Sequence, residues 1–244
     1  MCRHLGYLGP ERTLHSLIYD GEHSLESQSY APRMTQGCLL NADGYGAGWY
    51  QHGEAVRFRR AQPIWTDQSF REIAGAVRAS CAIAAIRSAT AGFPVDEACA
   101  QPFRAGTRLF SHNGRIDDFG GAEGRLRELA GDLAGVPDAR APVDSAPLFA
   151  LAARYWRDGL PLGEGLAAVI GAVTAFAPGR YNLLASDGTS LAATTWGDSL
   201  FVREDADEIR IASEPLDDDA GWKSVPDRSL VTADLASGVS VIPL

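Results

Sequence analysis

Met1-Cys2-Arg3-His4-Leu5-Gly6-Tyr7-Leu8-Gly9 opens the chain, and its alternating apolar residues, broken at Pro10, predict a short buried strand that leads into a turn. Cys2 stands directly behind the initiator methionine. Removal of Met1 would leave a thiol and a free α-amine on one carbon. An unperturbed thiol titrates near ~8.5 and an α-amine near ~7.7 to 8.0, so the amine can take the thiol proton close to neutral pH and return it to a leaving group. Position 2 alone is weak ground for catalysis; the other residues have to supply an oxyanion site and a grip on the substrate.

The chain has 244 residues, 45% hydrophobic and 22% charged, enough for a large core and expected to form one domain over 1–244. Its formal net charge of -9 leaves no basic surface in bulk for phosphates, which argues against a nucleic-acid partner. The four cysteines, at 2, 38, 81 and 99, form no C-x-x-C pair, and no export signal opens the chain. Reduced thiols and a cytoplasmic location are expected. The longest uncharged run, Gly165 to Gly179, holds glycines and a proline and falls short of the ~20 apolar residues of a membrane span. The histidines show no metal-binding spacing, so neither a metal nor another cofactor is expected. A homo-oligomer is compatible with the composition.

Along the chain, Thr13 is placed to cap a short helix through Leu14, Leu17 and Ile18, and Gly21 to Gln36 reads as a loop or weak helix anchored by Leu25 and Tyr30. Asn41 to Tyr50 is dense in glycine but lacks the G-x-G-x-x-G order of a dinucleotide loop. It reads as a turn into a strand with one bare face, open to another backbone or to a ligand. Apolar spacing predicts a helix from Phe70 to Cys81, then a short strand Ile83 to Ile86 that ends at Arg87. An arginine there calls for a buried ion pair or a substrate carboxylate. Thr107 to Phe110 reads as a strand that stops at Ser111-His112-Asn113-Gly114. Asn-Gly marks a hairpin, or alternatively an oxyanion site made by the Asn113 amide and the Gly114 N–H. His112 is either a structural hydrogen-bond partner or a general base.

Helices are expected from Ala122 to Leu133, from Asp144 as N-cap to Trp156, and from Leu166 to Phe176. Asp144 would alternatively receive a substrate ammonium. From Tyr181 onward short β-type runs predict a meander of hairpins, and Asp217-Asp-Asp219 reads as a solvated loop. Blocks of strands, helices and strands again imply a layered α+β architecture.

In order over almost the whole chain, Cys2, Asp43-Gly-x-Gly-x-Gly-Trp49, Arg87-x-Ala-Thr90, Phe110-x-His-Asn-Gly114, Asp144-Ser145 and Ala212-Ser-Glu214 resemble the class II glutamine amidotransferases of the N-terminal nucleophile hydrolase superfamily. Within that class, Ala85 to Thr90, Pro102-Phe103, Phe110 to Gly114, Ser213 to Trp222 and Val225 to Leu230 look like the stand-alone γ-glutamyl hydrolases of ergothioneine biosynthesis.

The resemblance implies a four-layer α/β/β/α sandwich and hydrolysis of a γ-glutamyl amide in a small molecule. Cys2 would be the nucleophile with its own α-amine as base and acid, Asn113 and Gly114 the oxyanion hole, Arg87 the partner of the glutamyl α-carboxylate and Asp144 that of its α-ammonium. Many members of the class carry a histidine two places before the arginine, where this chain has Ala85. The chain lacks room for a second catalytic domain, which favours a free-standing hydrolase over a glutaminase that hands ammonia to a synthase. A non-catalytic binding domain on the same fold is the reading from another class. For a cationic leaving half, Trp49, Tyr50, Trp65 and Trp196 are aromatic-cage candidates by residue type alone.

Overall fold

The computed structural model describes residues 2–35 and 40–244, so the expected removal of Met1 and the thiol of Cys38 lie outside the described residues. The strands of the first half are β1 (Arg3–Thr13), β2 (Tyr45–Gln51), β3 (Glu54–Arg60), β4 (Arg78–Ile86), β5 (Phe103–Ala105) and β6 (Arg108–Ile116). Those of the second half are β7 (Gly179–Ser186), β8 (Ser190–Thr195), β9 (Phe201–Glu204), β10 (Ile209–Ala212), β11 (Lys223–Ser224), β12 (Ser229–Asp234) and β13 (Gly238–Pro243). The α-helices are α1 (Leu14–Ile18), α2 (Leu25–Gln28), α3 (Gln68–Ala76), α4 (Phe119–Ala130), α5 (Ser145–Arg157) and α6 (Leu162–Thr174).

Among the described residues the strands form two antiparallel sheets, one ordered β11-β9-β10-β1-β4-β2-β3 and the other β13-β12-β8-β7-β6-β5. The period of two along β1 shows how they stack. Leu5 and Tyr7 join Leu17, Phe70, Ala84 and Ile86 in a core under α1 to α3. Leu8, with Ile83, Leu109, Leu184 and Leu191, fills the seam between the sheets. A third core sets Phe103, Phe110 and Tyr181 against Leu126, Phe149 and Val169 of α4 to α6. Three apolar layers between four layers of backbone make the expected α/β/β/α sandwich. No helix among the described residues is long and apolar enough to cross a membrane.

Local signals hold in places and yield to pairing in others. Thr13 caps α1 through Oγ1 to the Ser16 N–H at 3.1 Å. β1 runs on through Pro10, with a shift of register against β4 between Leu8 and Arg12. The helix expected to Cys81 ends at Ala76, and β4 begins at Arg78, well before Ile83. Its small residues suit either period, and pairing on both sides with β1 and β2 decides for the strand. β6 does not stop at Ser111: Asn113 and Gly114 lie inside it, opposite Asn182 and Tyr181. The expected meander is divided, because β7 and β8 belong to one sheet and β9 and β10 to the other. Leu25 is buried as an anchor, whereas Tyr30 is half exposed.

Candidate active site

Four segments end together at one edge of the sandwich because of register. Arg3 stands opposite Ile86, Tyr45 is also opposite Ile86, and Leu5 is opposite Ala212. Cys2, Arg87, Gly44 and Ser213-Glu214 therefore emerge side by side. Cys2 is partly exposed, with Sγ 3.9 Å from the Ser88 carbonyl oxygen. Arg3 points the other way and is buried: its Nε reaches Glu214 Oε1 at 2.6 Å and its Nη1 donates to the Cys2 carbonyl at 2.9 Å. Glu214 Oε2 accepts the Arg33 N–H at 2.7 Å. A buried ion pair thus holds the backbone of Cys2, and removing one partner would strand the other charge at a cost of roughly 3–5 kcal/mol.

Across the seam, Asn113 is fully buried, with Nδ2 3.3 Å from Ser213 Oγ and Oδ1 without a partner. Gly114 next to it has no room for a side chain, since an added β-carbon would collide with the Arg180 carbonyl oxygen and crowd His112 Nε2. Asn-Gly serves close approach here, not a turn.

Beneath these groups runs a buried polar chain. Gln101 Oε1 accepts from Ser111 Oγ at 2.8 Å and from the His112 N–H at 2.6 Å, and its Nε2 donates to Ser145 Oγ at 3.2 Å. Burial above all, then the charges of His112 and Arg3, pushes the pKa of His4 down to about 3, so its ring is neutral. Because Ser111 donates to Gln101, it accepts from His4 Nδ1–H at 3.3 Å, and His4 Nε2 is left a bare acceptor without a partner.

His112 is occupied at both nitrogens. Nε2 stands 2.9 Å from the Arg180 carbonyl oxygen and must carry a proton to bond it, while Nδ1 lies 2.9 Å from Ser145 Oγ. It is a structural partner rather than a general base. Ser145 Oγ also reaches Asp144 Oδ1, at the long distance of 3.5 Å.

Asp144 directly precedes α5 but does not cap it. Its backbone is already helical, with φ -61° and ψ -27°, and its side chain bonds no amide of that helix. Oδ2 instead accepts the Ile116 N–H of β6 at 2.9 Å. Asp144 Oδ1, held only by the long contact from Ser145 Oγ, is a buried carboxylate oxygen able to take a cation.

Arg87 is also buried. Its N–H donates to the Gly44 carbonyl at 2.7 Å, its carbonyl accepts the Asp43 N–H at 2.9 Å, and Nη1 reaches the Pro94 carbonyl at 3.0 Å. Nη2 has no partner. Asp43 fastens the same turn by accepting the Ala89 N–H at 2.8 Å. The bare face of β2 meets protein, since Gly46 abuts the Gln101 carbonyl and Gly48 abuts Pro102 and Leu109. Ala85 sits opposite His4, so at this point of the sheet the neighbouring strand carries the imidazole.

The cage candidates do not converge. Trp49 pairs with Ala82, which in turn pairs with Tyr7, so Trp49 and Tyr50 lie toward the far end of the sheet from Cys2. Trp65 packs edge-on against Tyr30, and Trp196 carries the Arg228 guanidinium 4.9 Å from its ring. Trp196 is nonetheless close to the site, bonding Asn182 Oδ1 through its N–H. Beside it a cavity of about 470 Å³ is bounded by Arg33, Asp198, Ser199 and Asp227. Burial pushes the Asp198 carboxyl upward against the pull of Arg180. Glu22, His23 and Asp218 gather at the surface, but Asp218 Oδ1 already lies 2.8 Å from Arg33 Nη1.

Arg3, Gln101, Ser145 and Ser213 carry this arrangement without having been singled out in the sequence. Ser145 and Ser213 belong to quoted motifs, whereas Gln101 offers no signal before the strands are paired.

Cys2 leads into a central strand of one sheet and Asn113-Gly114 lies buried in the other, and the four-layer sandwich that carries them has the fold of the class II glutamine amidotransferases. The fold matches a glutamine aminotransferase class-II domain protein from Silicibacter pomeroyi with a TM-score of 0.71 at 22% identity, over 100% of this chain and 99% of that one. No family model matches the sequence. The γ-glutamyl-hercynylcysteine sulfoxide hydrolase of Mycobacterium tuberculosis is 44% identical over 232 residues, 95% of this chain and 92% of that protein. The enzyme of the same name from Mycolicibacterium smegmatis is 43% identical over 233 residues, 95% of each chain. The chain belongs to the γ-glutamyl-hercynylcysteine sulfoxide hydrolase family.

Proposed function

We propose that this protein hydrolyses the γ-glutamyl amide of γ-glutamyl-hercynylcysteine sulfoxide, releasing glutamate and hercynylcysteine sulfoxide. Family membership supports the substrate. One observation supports the chemistry: three buried polar groups keep spare capacity, Arg87 through an unpartnered Nη2, Asn113 through an amide bonded only at Nδ2, and Asp144 through an Oδ1 held only by a 3.5 Å contact from Ser145 Oγ. A free glutamyl group brings a carboxylate, an oxyanion and an ammonium, the complement of that set.

Cys2, freed by loss of Met1, passes its thiol proton to its own α-amine and attacks the γ-carbonyl carbon. The C–S bond forms as the carbonyl oxygen takes the negative charge between Asn113 and the Gly114 N–H. The α-ammonium then protonates the departing nitrogen, the C–N bond breaks and a thioester remains. Water adds to the thioester with the amine as base, and glutamate leaves. Each oxyanion donor is worth on the order of 10²–10³ in rate. The leaving half occupies the cavity beside Asp198. One domain over 1–244 carries this activity in the cytoplasm without a cofactor, and water is the acceptor.

Intact mass and substrate comparison test the proposal together. Mature protein lacking Met1 is expected to turn over the γ-glutamyl sulfoxide with a far higher kcat/KM than free glutamine. Faster turnover of glutamine, or full activity with Met1 retained, overturns it.

A further inference from the structure

Ser213 lies just past β10, fully buried at the junction of the nucleophile strand and the oxyanion strand. Its N–H donates to the His4 carbonyl at 3.0 Å, its Oγ accepts the His4 N–H at 3.0 Å, and its carbonyl accepts Ser199 Oγ at 2.8 Å. The hydroxyl is thereby fixed relative to a residue two places from the nucleophile. Asn113 Nδ2 stands 3.3 Å from the same oxygen, while Asn113 Oδ1 has no partner.

In that orientation Ser213 Oγ faces two donors, and its own proton finds no acceptor among the described contacts. Asn113 meanwhile buries an unsatisfied oxygen, which costs roughly 1–3 kcal/mol. Half a turn of the amide about its Cβ–Cγ bond removes both faults. The Ser213 O–H then donates to Asn113 Oδ1 while Oγ still accepts from His4, and both protons of Nδ2 point where Oδ1 stood. The group left unpaired becomes a donor, which welcomes a developing negative charge; an unpaired carbonyl oxygen would repel it.

We propose that Ser213 is a positioning residue for the oxyanion hole: its hydroxyl holds Asn113 Oδ1, and so keeps Nδ2 aimed at the oxygen that gains charge. This rests on Asn113 acting as an oxyanion donor. Without the hydroxyl the amide divides between two orientations, one of which works against the reaction.

The test compares Ser213→Ala, Asn113→Ala and the double variant, using the mature enzyme and its γ-glutamyl substrate. Ser213→Ala is expected to lower kcat about 10- to 100-fold with KM nearly unchanged, and Asn113→Ala to lower it about 10²- to 10³-fold. The double variant should be no slower than Asn113→Ala. Alkylation of Cys2 by iodoacetamide, which builds no oxyanion, should proceed in Ser213→Ala at the wild-type rate.

Wild-type kcat in Ser213→Ala beside a slow Asn113→Ala overturns the role of Ser213 alone. Wild-type kcat in Asn113→Ala overturns the oxyanion reading beneath it. Effects that multiply in the double variant, or slowed alkylation, mean that Ser213 acts on Cys2 or on the fold, and also overturn the proposal. Should Ser213→Ala not fold, Ser213→Cys, of similar volume with only a weak donor, replaces it under the same outcomes.

Discussion

Asn113 and Asn182 face each other across β6 and β7, and they divide two jobs that the same side chain can do. Asn182 is saturated: its Nδ2 donates to the Asp198 and Ser199 carbonyls at 2.9 and 3.1 Å, and its Oδ1 accepts from Trp196 and Asp198 at 2.9 and 3.3 Å. Asn113, equally buried, keeps half its capacity free. One asparagine fastens a loop; its neighbour keeps an amide oxygen without a partner.

The two should respond differently to truncation. Asn182→Ala strands loop amides and carbonyls, and is expected to cost roughly 3 kcal/mol or more by the loss of buried partners. Asn113→Ala leaves little unsatisfied beyond Ser213, and is expected to lower kcat with a small change in melting temperature. Thermal melts and steady-state kinetics on both variants check this, and a large drop in melting temperature for Asn113→Ala alone would count against it.

Recognition of the glutamyl end should split by charge. Arg87→Lys replaces a planar fork by a point charge and is expected to raise KM by about tenfold or more. Asp144→Asn should erase discrimination between the substrate and an analogue whose glutamyl α-amine is replaced by hydrogen. Wild-type enzyme should prefer the amine by about 10²-fold, the worth of a buried charged partner. Retained preference in Asp144→Asn would remove that residue from the ammonium site.

His4 makes stability depend on pH. Its folded pKa lies far below the unfolded value, so between about 6.5 and 3 the unfolded chain binds a proton that the folded one refuses. Stability should therefore fall as pH drops through this window, with about 1.4 kcal/mol lost from this residue by pH 5.5. Urea unfolding at pH 7.5 and 5.5, on wild type and His4→Asn, measures it; an identical pH decrement in both proteins would assign the effect elsewhere.

Gly114→Ala should be tolerated by neither fold nor chemistry. The added methyl meets the Arg180 carbonyl, an atom of the paired strand β7 that cannot step aside without breaking the ladder. A loss of about 1–3 kcal/mol of stability from overpacking is expected, together with displacement of the Gly114 N–H and a fall in kcat. Unchanged kcat would show that this N–H takes no part.

Particular residues show how far the sequence reached. Cys2, Arg87, Asn113, Gly114 and Asp144 are picked out as a set only because the motifs around them, taken in order, resemble those of a known family, whereas a layered architecture follows from the change of period along the chain. Boundaries were legible only where a local group decides them, as at Thr13. Arg78 to Cys81 and Asn113-Gly114 became strand because distant neighbours, such as Thr13 for Arg78 and Asn182 for Asn113, pair with them, which no local signal carries. The buried chain from His4 to Asp144 was hidden for the same reason. Ser111, Gln101 and Ser145 are ordinary polar residues until two strands and a helix bring them within bonding distance.

The central position of β1 bears on how such a protein matures in the cell. In the folded state Arg3 is buried and paired, and the strand behind it is clamped on one side by β4 and on the other by β10. An aminopeptidase needs the leading residues extended and free. On the proposed mechanism, trimming of Met1 is expected to compete with folding, its window being the interval before β4 has been made and claims β1.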